Sequence, residues 1–464
     1  MRDGRSERAP GRLVIAGVTS GVGKTTLICA ILAALRRRGQ RVQPFKAGPD
    51  YIDPGHHALA AGRPSRNLDS VLLSPATLQA LFARAAGQAD LALVEGVMGL
   101  FDGRHGGDDE GSTAQVARLL DAPVVIVIDV AKTARTAGAI ALGCTLFDPA
   151  LRVAGFILNR VGSPTHARAA TEAVEAATGR PVLGAFPRDA ALALPERHLG
   201  LVPTAETAPD ASFMDRLAAA AERYLALDRL RAAAETRPFA VPADSPFPPE
   251  PLPPRATIAV ALDRAFNFYY EDSLDLLRAW GGDVVPFSPL ADGALPPGTQ
   301  GVYLGGGFPE LFAADLAANS SMHAALYAAA RRGLPIYGEC GGLMYLGRTL
   351  TDVDGRRHAM VGLVPLDSVM RRARLTLGYR SVTALRPSPI LECGAAVRGH
   401  EFHYSEPLVP LPEATAAYRV AERDGTPEGY AAGHILASYV HVHLGADPAM
   451  ARRFIATCAS GAGR

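Results

Sequence analysis

The chain has 464 residues, of which 48% are apolar and 20% are charged, and its formal net charge is +1. These proportions exclude a disordered chain, and the length fits two or three domains. The small net charge argues against nucleic-acid binding. No apolar run approaches the ~20 residues of a membrane helix, and no signal-peptide pattern opens the sequence. Five scattered cysteines without a C-x-x-C pair favour neither disulfides nor a zinc ribbon, so we expect a cytoplasmic protein.

The first half of the chain alternates apolar, β-branched runs with helical stretches rich in Ala, Leu and Arg. Near-continuous apolar runs suit strands that are buried on both faces. Their alternation with helices predicts a parallel, doubly wound α/β sheet. The predicted strands of this half are Leu13–Ala16, Val42–Phe45, Leu91–Val94, Val124–Asp129, Val153–Leu158 and Val182–Phe186.

The second half repeats this pattern after the segment 236–255, in which eight of 20 residues are proline. Such composition favours a semi-extended spacer, and structureless loops of this length are uncommon within a domain. We therefore predict a flexible N-terminus at 1–11, a first α/β domain at 12–230, a linker at 231–255 and a second α/β domain at 256–464. The predicted strands of the second domain are Ile258–Leu262, Val284–Phe287, Val302–Leu304, Pro335–Tyr337 and His434–Val440.

The first predicted strand runs into GVTSGVGKTT, a glycine-rich loop followed by a helix predicted over Leu27–Arg38. The N–H groups of such a loop and of the helix N-terminus form an anion cradle. Lys24 can reach the outer phosphates of a nucleotide, and the hydroxyl of Thr25 is placed for Mg²⁺. The usual glycine six positions before the lysine is Val18 here, so the motif is a variant. The candidate phosphate-binding residues are Gly21, Gly23, Lys24, Thr25 and Thr26.

Acidic residues follow two of the predicted strands, at the edge where the ligand crevice of an α/β sheet opens. Glu95 follows one strand, and the turn-rich segment FKAGPDYIDPGHH follows another. Carboxylate oxygens suit Mg²⁺, so Glu95 and Asp50 are candidate metal ligands beside Thr25. Lys46 is a candidate partner of the γ-phosphate or of a substrate carboxylate. The two histidines that end the segment are expected to be partly exposed loop residues.

The last motif of the first half, FILNRV, lies at the end of a predicted strand. Its Asn159 pairs a hydrogen-bond donor with an acceptor, as the edge of adenine does. Asn159 is therefore a candidate adenine contact, and a structural role fits its spacing equally well.

These motifs, together with LALVEGVMGLFDG, closely resemble the ATP-binding half of the cobyrinic acid a,c-diamide synthases, which is akin to dethiobiotin synthetase. The resemblance extends from Leu13 to about Leu225. It implies that ATP phosphorylates a carboxylate of the acceptor, which gives an acyl phosphate. It also implies site roles by position. The implied assignments are Lys24 and Thr25 in the phosphate loop, Asp50 and Glu95 as Mg²⁺ ligands and Asn159 against adenine.

In the second half, YGECGGLMYL places a cysteine between glycines, after a short apolar strand and before a helical run. Flanking glycines permit the sharp turn that exposes a nucleophile, and a helix N-terminus favours the thiolate. Cys340 is therefore the candidate nucleophile, with a small buried cysteine at a tight turn as the alternative. A cysteine nucleophile needs a base. His441 and His443 of SYVHVH share one face of a strand, so one is a candidate base and the other a structural residue.

Three glycines follow another predicted strand, in YLGGGFPE. Their exposed N–H groups can stabilise the oxyanion that forms when a thiolate attacks an amide. Gly306 and Gly307, with Gly341 directly after the candidate nucleophile, are therefore the candidate oxyanion contacts.

The second half resembles the class I glutamine amidotransferase domain of the same synthases, over about Ala256–Ile455. The segments YLGGGFPE, YGECGGLMYL, LGYR, GHEFHYS and SYVHVH all fit that family. By position, Cys340 matches the nucleophile and His441 the general base. The wider class has His-x-Glu, in which the glutamate orients the histidine, whereas this sequence has His443 in the glutamate position. The third member of the triad is thus open: either a dyad, or an orienting group from elsewhere in the chain.

Together the two resemblances imply an ATP- and Mg²⁺-dependent amidoligase that takes ammonia from L-glutamine. Its acceptor would be cobyrinic or hydrogenobyrinic acid, amidated at the a and c acetates in cobalamin biosynthesis. Alternatives of the same superfamily are cobyric acid synthase and Ni-sirohydrochlorin a,c-diamide synthase. A non-enzymatic P-loop scaffold ATPase is an alternative of another class. LGYR and GHEFHYS fit glutamine contacts, acceptor contacts or structural roles, and a homodimer is left open.

Overall fold

The computed structural model describes residues 10–194, 204–205, 210–238, 244–371 and 374–461. The chain divides into two compact units, Met1–Asp244 and Ser245–Arg464. Of the predicted N-terminal segment, residues 1–9 lie outside the described part, and Gly11 already begins the first strand. Among the described residues, no helix is long and apolar enough to cross a membrane.

The first unit is built on a seven-stranded sheet in which every pairing is parallel. The strand order is β3-β2-β4-β1-β5-β6-β7. The strands are β1 Gly11–Gly17, β2 Val42–Ala47, β3 Arg66–Leu68, β4 Leu91–Glu95, β5 Val124–Asp129, β6 Val153–Val161 and β7 Val182–Pro187. The helices are α1 Lys24–Arg37, α2 Asp53–Ala61, α3 Pro75–Ala86, α4 Thr113–Leu119, α5 Thr136–Leu146, α6 Pro164–Thr178, α7 Ala211–Tyr224 and α8 Leu227–Ala233.

All six strands predicted for the first half are present, and the short β3 is added at the edge of the sheet. The core of this unit joins β1 to α1 and α7, because leucines and isoleucines of β1 and α1 are buried in one cluster with Phe213 and Leu217 of α7. Fully burying each such side chain contributes ~1.5–3 kcal/mol, which is enough to fix α1 against the sheet. The loop that precedes α1 is thereby held at the carboxyl end of β1.

The second unit contains a six-stranded sheet of order β20-β21-β11-β10-β8-β9, parallel except for the β20–β21 pair. The strands of this sheet are β8 Ala256–Ala261, β9 Gly282–Phe287, β10 Thr299–Leu304, β11 Ile336–Glu339, β20 Tyr430–Ala432 and β21 Ile435–Ser438. The helices of the unit are α9 Glu271–Ala279, α10 Ala313–Ala318, α11 Ser320–Arg331, α12 Gly341–Leu346 and α13 Pro448–Gly461. The predicted fold class, two α/β domains in series, is confirmed.

Two further sheets in this unit were not predicted. They have the orders β13-β12-β14-β17 and β19-β18-β15-β16-β22, and most of their pairings are antiparallel. Their strands are β12 Thr349–Thr351, β13 Arg357–Ala359, β14 Asp367–Met370, β15 Thr376–Ala384, β16 Ala396–His403, β17 Ser405–Pro407, β18 Tyr418–Val420, β19 Thr426–Glu428 and β22 His441–Val442.

The prediction of one strand over His434–Val440 is wrong at its C-terminal end. The parallel strand β21 stops at Ser438, and the chain then enters β22 of a different sheet. Side chains terminate the ladder, because Glu428 accepts the N–H of Tyr439 at 2.8 Å and the Ser438 hydroxyl accepts that of Val440 at 2.9 Å. This change of sheet places His441 beside the strand β16.

The predicted linker is also wrong in part. Residues 239–243 lie outside the described residues, but the segment after them is held on the second unit. The indole N–H of Trp280 donates to the carbonyl of Pro246 at 3.2 Å, and the N–H of Leu252 donates to Ala279 at 2.9 Å. The proline-rich end of this segment is therefore part of the second unit rather than a free spacer.

Candidate active sites

The phosphate loop has the predicted strand–loop–helix form, with α1 beginning at Lys24. Gly23 precedes the helix with φ +88°, and a Cβ there would lie 2.4 Å from the amide nitrogen of Asn159, so only glycine fits. The ammonium of Lys24 is turned into the loop and donates to the carbonyls of Met98 at 2.6 Å and Thr19 at 3.3 Å. Burial and the neighbouring charge of Lys46 lower the pKa of Lys24 to about 8.

The side chain of Thr25 reaches a cluster of charged groups at the ends of β2 and β4. Its hydroxyl donates to Glu95 Oε1 at 2.9 Å and to Asp53 Oδ2 at 3.3 Å. The ammonium of Lys46 lies 2.7 Å from the same Glu95 oxygen and also bonds Asp53. Although burial acts to lower the pKa of Lys46, the carboxylates of Asp53 and Glu95 raise it well above its usual value.

Three of the predicted residues, Thr25, Lys46 and Glu95, are thus brought together, whereas Asp50 lies at the margin. One oxygen of Asp50 accepts the N–H of Ile52 at 2.7 Å, and the other is 3.9 Å from the ammonium of Lys46. Asp53 occupies the inner position that the sequence analysis gave to Asp50. The reason is that the turn-rich segment continues into the helix α2, which begins at Asp53.

The expectation for the two histidines of this segment is wrong, because His56 and His57 are both fully buried on α2. His57 Nε2 lies 2.6 Å from Glu95 Oε2, and its Nδ1 is 3.2 Å from the hydroxyl of Ser65. The four-residue spacing of Asp53 and His57 on one helix face was the available signal. Burial acts to raise the pKa of Glu95, but Lys46 and His57 lower it well below its usual range.

The chemistry of this cluster fits a magnesium nucleotide. Mg²⁺ prefers oxygen ligands and is often held by one or two carboxylates together with substrate phosphates. The described residues contain no ready-made group of three or more acidic, histidine or cysteine ligands. The hydroxyl of Thr25 and the carboxylates of Glu95 and Asp53 would therefore hold the ion only jointly with phosphate oxygens.

Asn159 lies behind the phosphate loop, at the end of β6. Its amide group donates to the carbonyl of Val22 at 2.7 Å, and its carbonyl oxygen accepts the N–H of Arg160 at 2.9 Å. These contacts hold the loop against the sheet. The adenine contact of Asn159 stays a prediction.

In the second unit, Cys340 lies between β11 and α12 in a strained backbone conformation, with φ 48° and ψ −98°. Non-glycine residues rarely adopt a positive φ, and such strain is typical of a nucleophile on a sharp strand-to-helix turn. The side chain is 3% exposed, and its sulfur lies 3.8 Å from the carbonyl oxygen of Phe402. Burial, and secondarily the charge of Glu310, raises the pKa of the Cys340 thiol well above its usual value. The resting group is therefore a thiol.

The candidate base and the candidate oxyanion glycines lie together. A Cβ added to Gly306 would be 2.5 Å from Cε1 and 3.3 Å from Nε2 of His441, so this glycine packs directly on the imidazole. A Cβ on Gly341 would be 3.1 Å from the backbone nitrogen of Gly307. The carbonyl of Gly306 accepts the N–H of Asn267 at 3.0 Å, which fixes the orientation of this loop.

We predict that Gly306→Ala lowers the glutaminase kcat by ~10²-fold, because the added methyl must displace the ring of His441. Ammonium-dependent amidation should be unaffected. Glutamate release and amide formation are measured in parallel on the full chain. Gly143→Ala is the control, because its Cβ meets nothing within 4 Å. Unchanged glutaminase activity in Gly306→Ala would contradict the placement of His441.

Three other histidines of this unit are buried and remain neutral. Burial, and then the neighbouring His441, lowers the pKa of His400 to about 3, and burial lowers those of His403 to about 4 and His443 to about 3. The ring of His443 packs on Tyr270 with centroids 4.9 Å apart, and its Nδ1 accepts the N–H of Gly445 at 3.0 Å. His443 is therefore a structural residue.

These pKa values predict an acid-labile second unit. Below pH ~6.5 the unfolded chain protonates its histidines, whereas the folded chain keeps these three neutral down to about pH 4, so stability falls as pH falls. The unfolded chain binds three more protons at these histidines, but burial raises the pKa of Glu428 to about 7, so the folded chain binds one more proton there. The net difference of two protons corresponds to a loss of roughly 3 kcal/mol per pH unit in this window. Thermal unfolding of the full chain between pH 8 and pH 5 measures the effect. His443→Phe should reduce the slope by about half, and an unchanged slope would refute the attribution.

LGYR and GHEFHYS lie on the neighbouring strands β15 and β16 and contribute to the wall of a cavity of about 600 Å³. Leu343 of α12, one turn after Cys340, also lines it. The arginines that line the cavity are paired with carboxylates. Arg380 donates to the buried Glu401 at 2.7 Å, and Arg371 donates to Glu406 at 2.6 Å.

Each half of the chain matches a known protein family. Residues 13–202 match the CobQ/CobB/MinD/ParA nucleotide binding domain, and residues 257–449 match the CobB/CobQ-like glutamine amidotransferase domain. Fold and sites therefore define a glutamine amidotransferase with a nucleotide-binding domain on the same chain.

The most informative relatives span nearly the whole chain. A cobyrinate a,c-diamide synthase of Dehalococcoides mccartyi is 44% identical over 96% of this chain and 97% of its own length. One from Synechococcus is also 44% identical, over 96% and 98%. A hydrogenobyrinate a,c-diamide synthase of Streptomyces coelicolor is 41% identical over 99% of both chains. The chain belongs to the cobyrinate a,c-diamide synthase family, which confirms a ligase rather than a non-enzymatic scaffold.

Proposed function

We propose that the protein amidates the a and c acetate carboxylates of cobyrinic or hydrogenobyrinic acid, using ATP and the amide nitrogen of L-glutamine. The proposal is supported by one observation above all: the chain has a thiol–imidazole–glycine centre and a separate phosphate loop with a lysine and carboxylates. Hydrolysis of glutamine requires the first centre, and activation of a carboxylate requires the second. Relatives named for both acceptors support the substrate class.

In the glutaminase centre, Cys340 attacks the amide carbon of glutamine while Nε2 of His441 takes the thiol proton. The N–H groups of Gly307 and Gly341 stabilise the oxyanion as the C–S bond forms. His441 then returns the proton to the leaving nitrogen, ammonia departs, and water hydrolyses the thioester to glutamate. The raised pKa of the thiol makes this base indispensable, because the resting sulfur is protonated.

In the nucleotide centre, an acceptor carboxylate attacks the γ-phosphorus of ATP and ADP leaves, which gives an acyl phosphate. Ammonia then displaces inorganic phosphate, and the amide forms. The loop from Gly21 to Gly23, Lys24 and the N–H groups of Thr25 and Thr26 bind the phosphates. Lys46 neutralises the carboxylates beside the reacting phosphoryl group, and Asn159 supports the loop.

Mg²⁺ would supply charge neutralisation at the phosphates, held by Thr25, Glu95 and Asp53, with Asp50 as an outer partner. We place the reaction in the cytoplasm, in line with five free cysteines. The acceptor, glutamine and ATP are the only partners that the proposal requires, and a homodimer would be compatible with it.

The test is a mass-spectrometric product assay with ATP, Mg²⁺ and glutamine, in which cobyrinic acid and hydrogenobyrinic acid are supplied in parallel. Two amidations of one acceptor are the expected result, and the acceptor used tells whether cobalt is present at this step. Glutamine hydrolysis without amidation of either acceptor would refute the substrate class but leave an amidoligase.

A further inference from the structure

We propose that Glu339 is the orienting member of the glutaminase triad, which the sequence leaves open: its carboxylate holds His441 in the tautomer that accepts a proton at Nε2. This inference rests on the proposed function and assigns a positioning residue within it. The glutamate comes from the position directly before the nucleophile, rather than from the position two residues after the base.

The two side chains face each other in a closed environment. Oε2 of Glu339 lies 3.5 Å from Nδ1 of His441, and each residue is 1% exposed. The edge of the imidazole that runs from Cε1 to Nε2 packs on Gly306 of the oxyanion loop. The ring is therefore oriented with Nδ1 toward the carboxylate and Nε2 toward the site of reaction.

The carboxylate also fixes the backbone next to the base. Its Oε1 accepts the N–H of Val442 at 3.1 Å. Because Glu339 ends β11 of the parallel sheet and His441 begins β22 of the antiparallel sheet, this bond links the two sheets at the catalytic residues. A single side chain thus positions both the ring and the main chain of the base relative to Cys340.

Two tyrosines hold the carboxylate in place. The hydroxyl of Tyr303 donates to Oε2 at 3.0 Å, and that of Tyr337 donates to Oε1. Burial, and then the charge of Glu339, raises the pKa of both tyrosines well above the usual value, so both stay protonated donors. A carboxylate whose two oxygens both accept hydrogen bonds is held in a fixed orientation, with Oε2 toward the Nδ1 of His441.

His443 cannot supply this function. Its Nδ1 already accepts the N–H of Gly445, and its ring packs on Tyr270. Its imidazole is also kept neutral by burial, which lowers its pKa to about 3. We therefore assign the orientation of His441 to Glu339 rather than to His443.

The experiment compares Glu339→Gln, Glu339→Asp and His443→Phe in the full chain. An amide can place its NH₂ toward Nδ1 only if His441 takes the opposite tautomer, which cannot accept the thiol proton. We expect Glu339→Gln to lower the glutaminase kcat by ~10²–10⁴-fold with little change in KM, and Glu339→Asp to restore part of it. His443→Phe should retain the wild-type kcat, and ammonium-dependent amidation should persist in all three.

A readout independent of turnover is the downfield proton resonance of His441 Nδ1–H, expected in the wild type and absent from Glu339→Gln. A folded Glu339→Gln variant with wild-type glutaminase kcat would overturn the proposal, as would a larger loss from His443→Phe. If the wild type hydrolyses no glutamine, the proposed function fails by itself, and the resonance alone then decides the role of Glu339.

Discussion

Cys340→Ala is expected to lower glutamine-dependent amidation by at least ~10⁴-fold while ammonium-dependent amidation continues. The physical reason is that Cys340, at the strained turn, is the proposed thioester-forming residue; the adjacent Gly341 packs on the loop of Gly306 and Gly307, which in turn contacts His441. Added ammonium bypasses this centre, because it supplies the nitrogen that the acyl phosphate needs. The measurement is amide formation with each nitrogen source, at saturating ATP and acceptor.

Cys458→Ala is the matched control, because Cys458 is a fully buried thiol of the same unit on α13, a helix that carries none of the proposed site residues. It should retain both activities at temperatures where the chain is folded. Loss of ammonium use in Cys340→Ala, from protein with a normal thermal transition, would contradict a scheme of two separate centres.

The second large effect is expected for Lys24→Met, which should lower amidation by ~10³-fold with either nitrogen source. Methionine keeps the length of the side chain but removes the charge that would meet the outer phosphates. Glutamine hydrolysis by the other unit should continue, so the pattern is the reverse of that for Cys340→Ala. ATP-dependent phosphate release with the acceptor present measures the loss directly.

Arg38→Met is the control for removing a cation from this region of the chain. Arg38 lies just beyond the other end of α1, where it pairs with Asp228 at 3.0 Å and with Glu222 on the surface. Exposed pairs contribute ~0–1 kcal/mol, so activity should be retained. Equal losses in both variants would mean that the defect is in the helix rather than in phosphate binding.

Local motifs were the most predictable part of this molecule. The strand, glycine loop and helix around Lys24 are contiguous in sequence, and so are the strand and helix around Cys340. Their backbone requirements, such as φ +88° at Gly23, are met by residues within a few positions. Every predicted parallel strand exists for the same reason: a run of apolar residues is sufficient to mark a strand that is buried on both faces.

Contacts between distant segments were not predictable. His57 reaches Glu95 because β2 and β4 are neighbours in the sheet, although β3 lies between them in sequence. Glu339 reaches His441 across two sheets, and the strand that carries His441 has only two residues, His441–Val442, too few for a periodic pattern. The sequence did not show that Asp53, rather than Asp50, takes the inner position in the charged cluster, because this depends on the segment continuing into a helix.

The resting state of the nucleophile has a consequence for the durability of the protein. Oxidants and alkylating agents react with the thiolate, and they need access to it. Cys340 is 3% exposed and its pKa is raised, so it presents neither condition in the absence of substrate. We therefore expect the candidate nucleophile Cys340 to react slowly with oxidants and alkylating agents while no glutamine is bound.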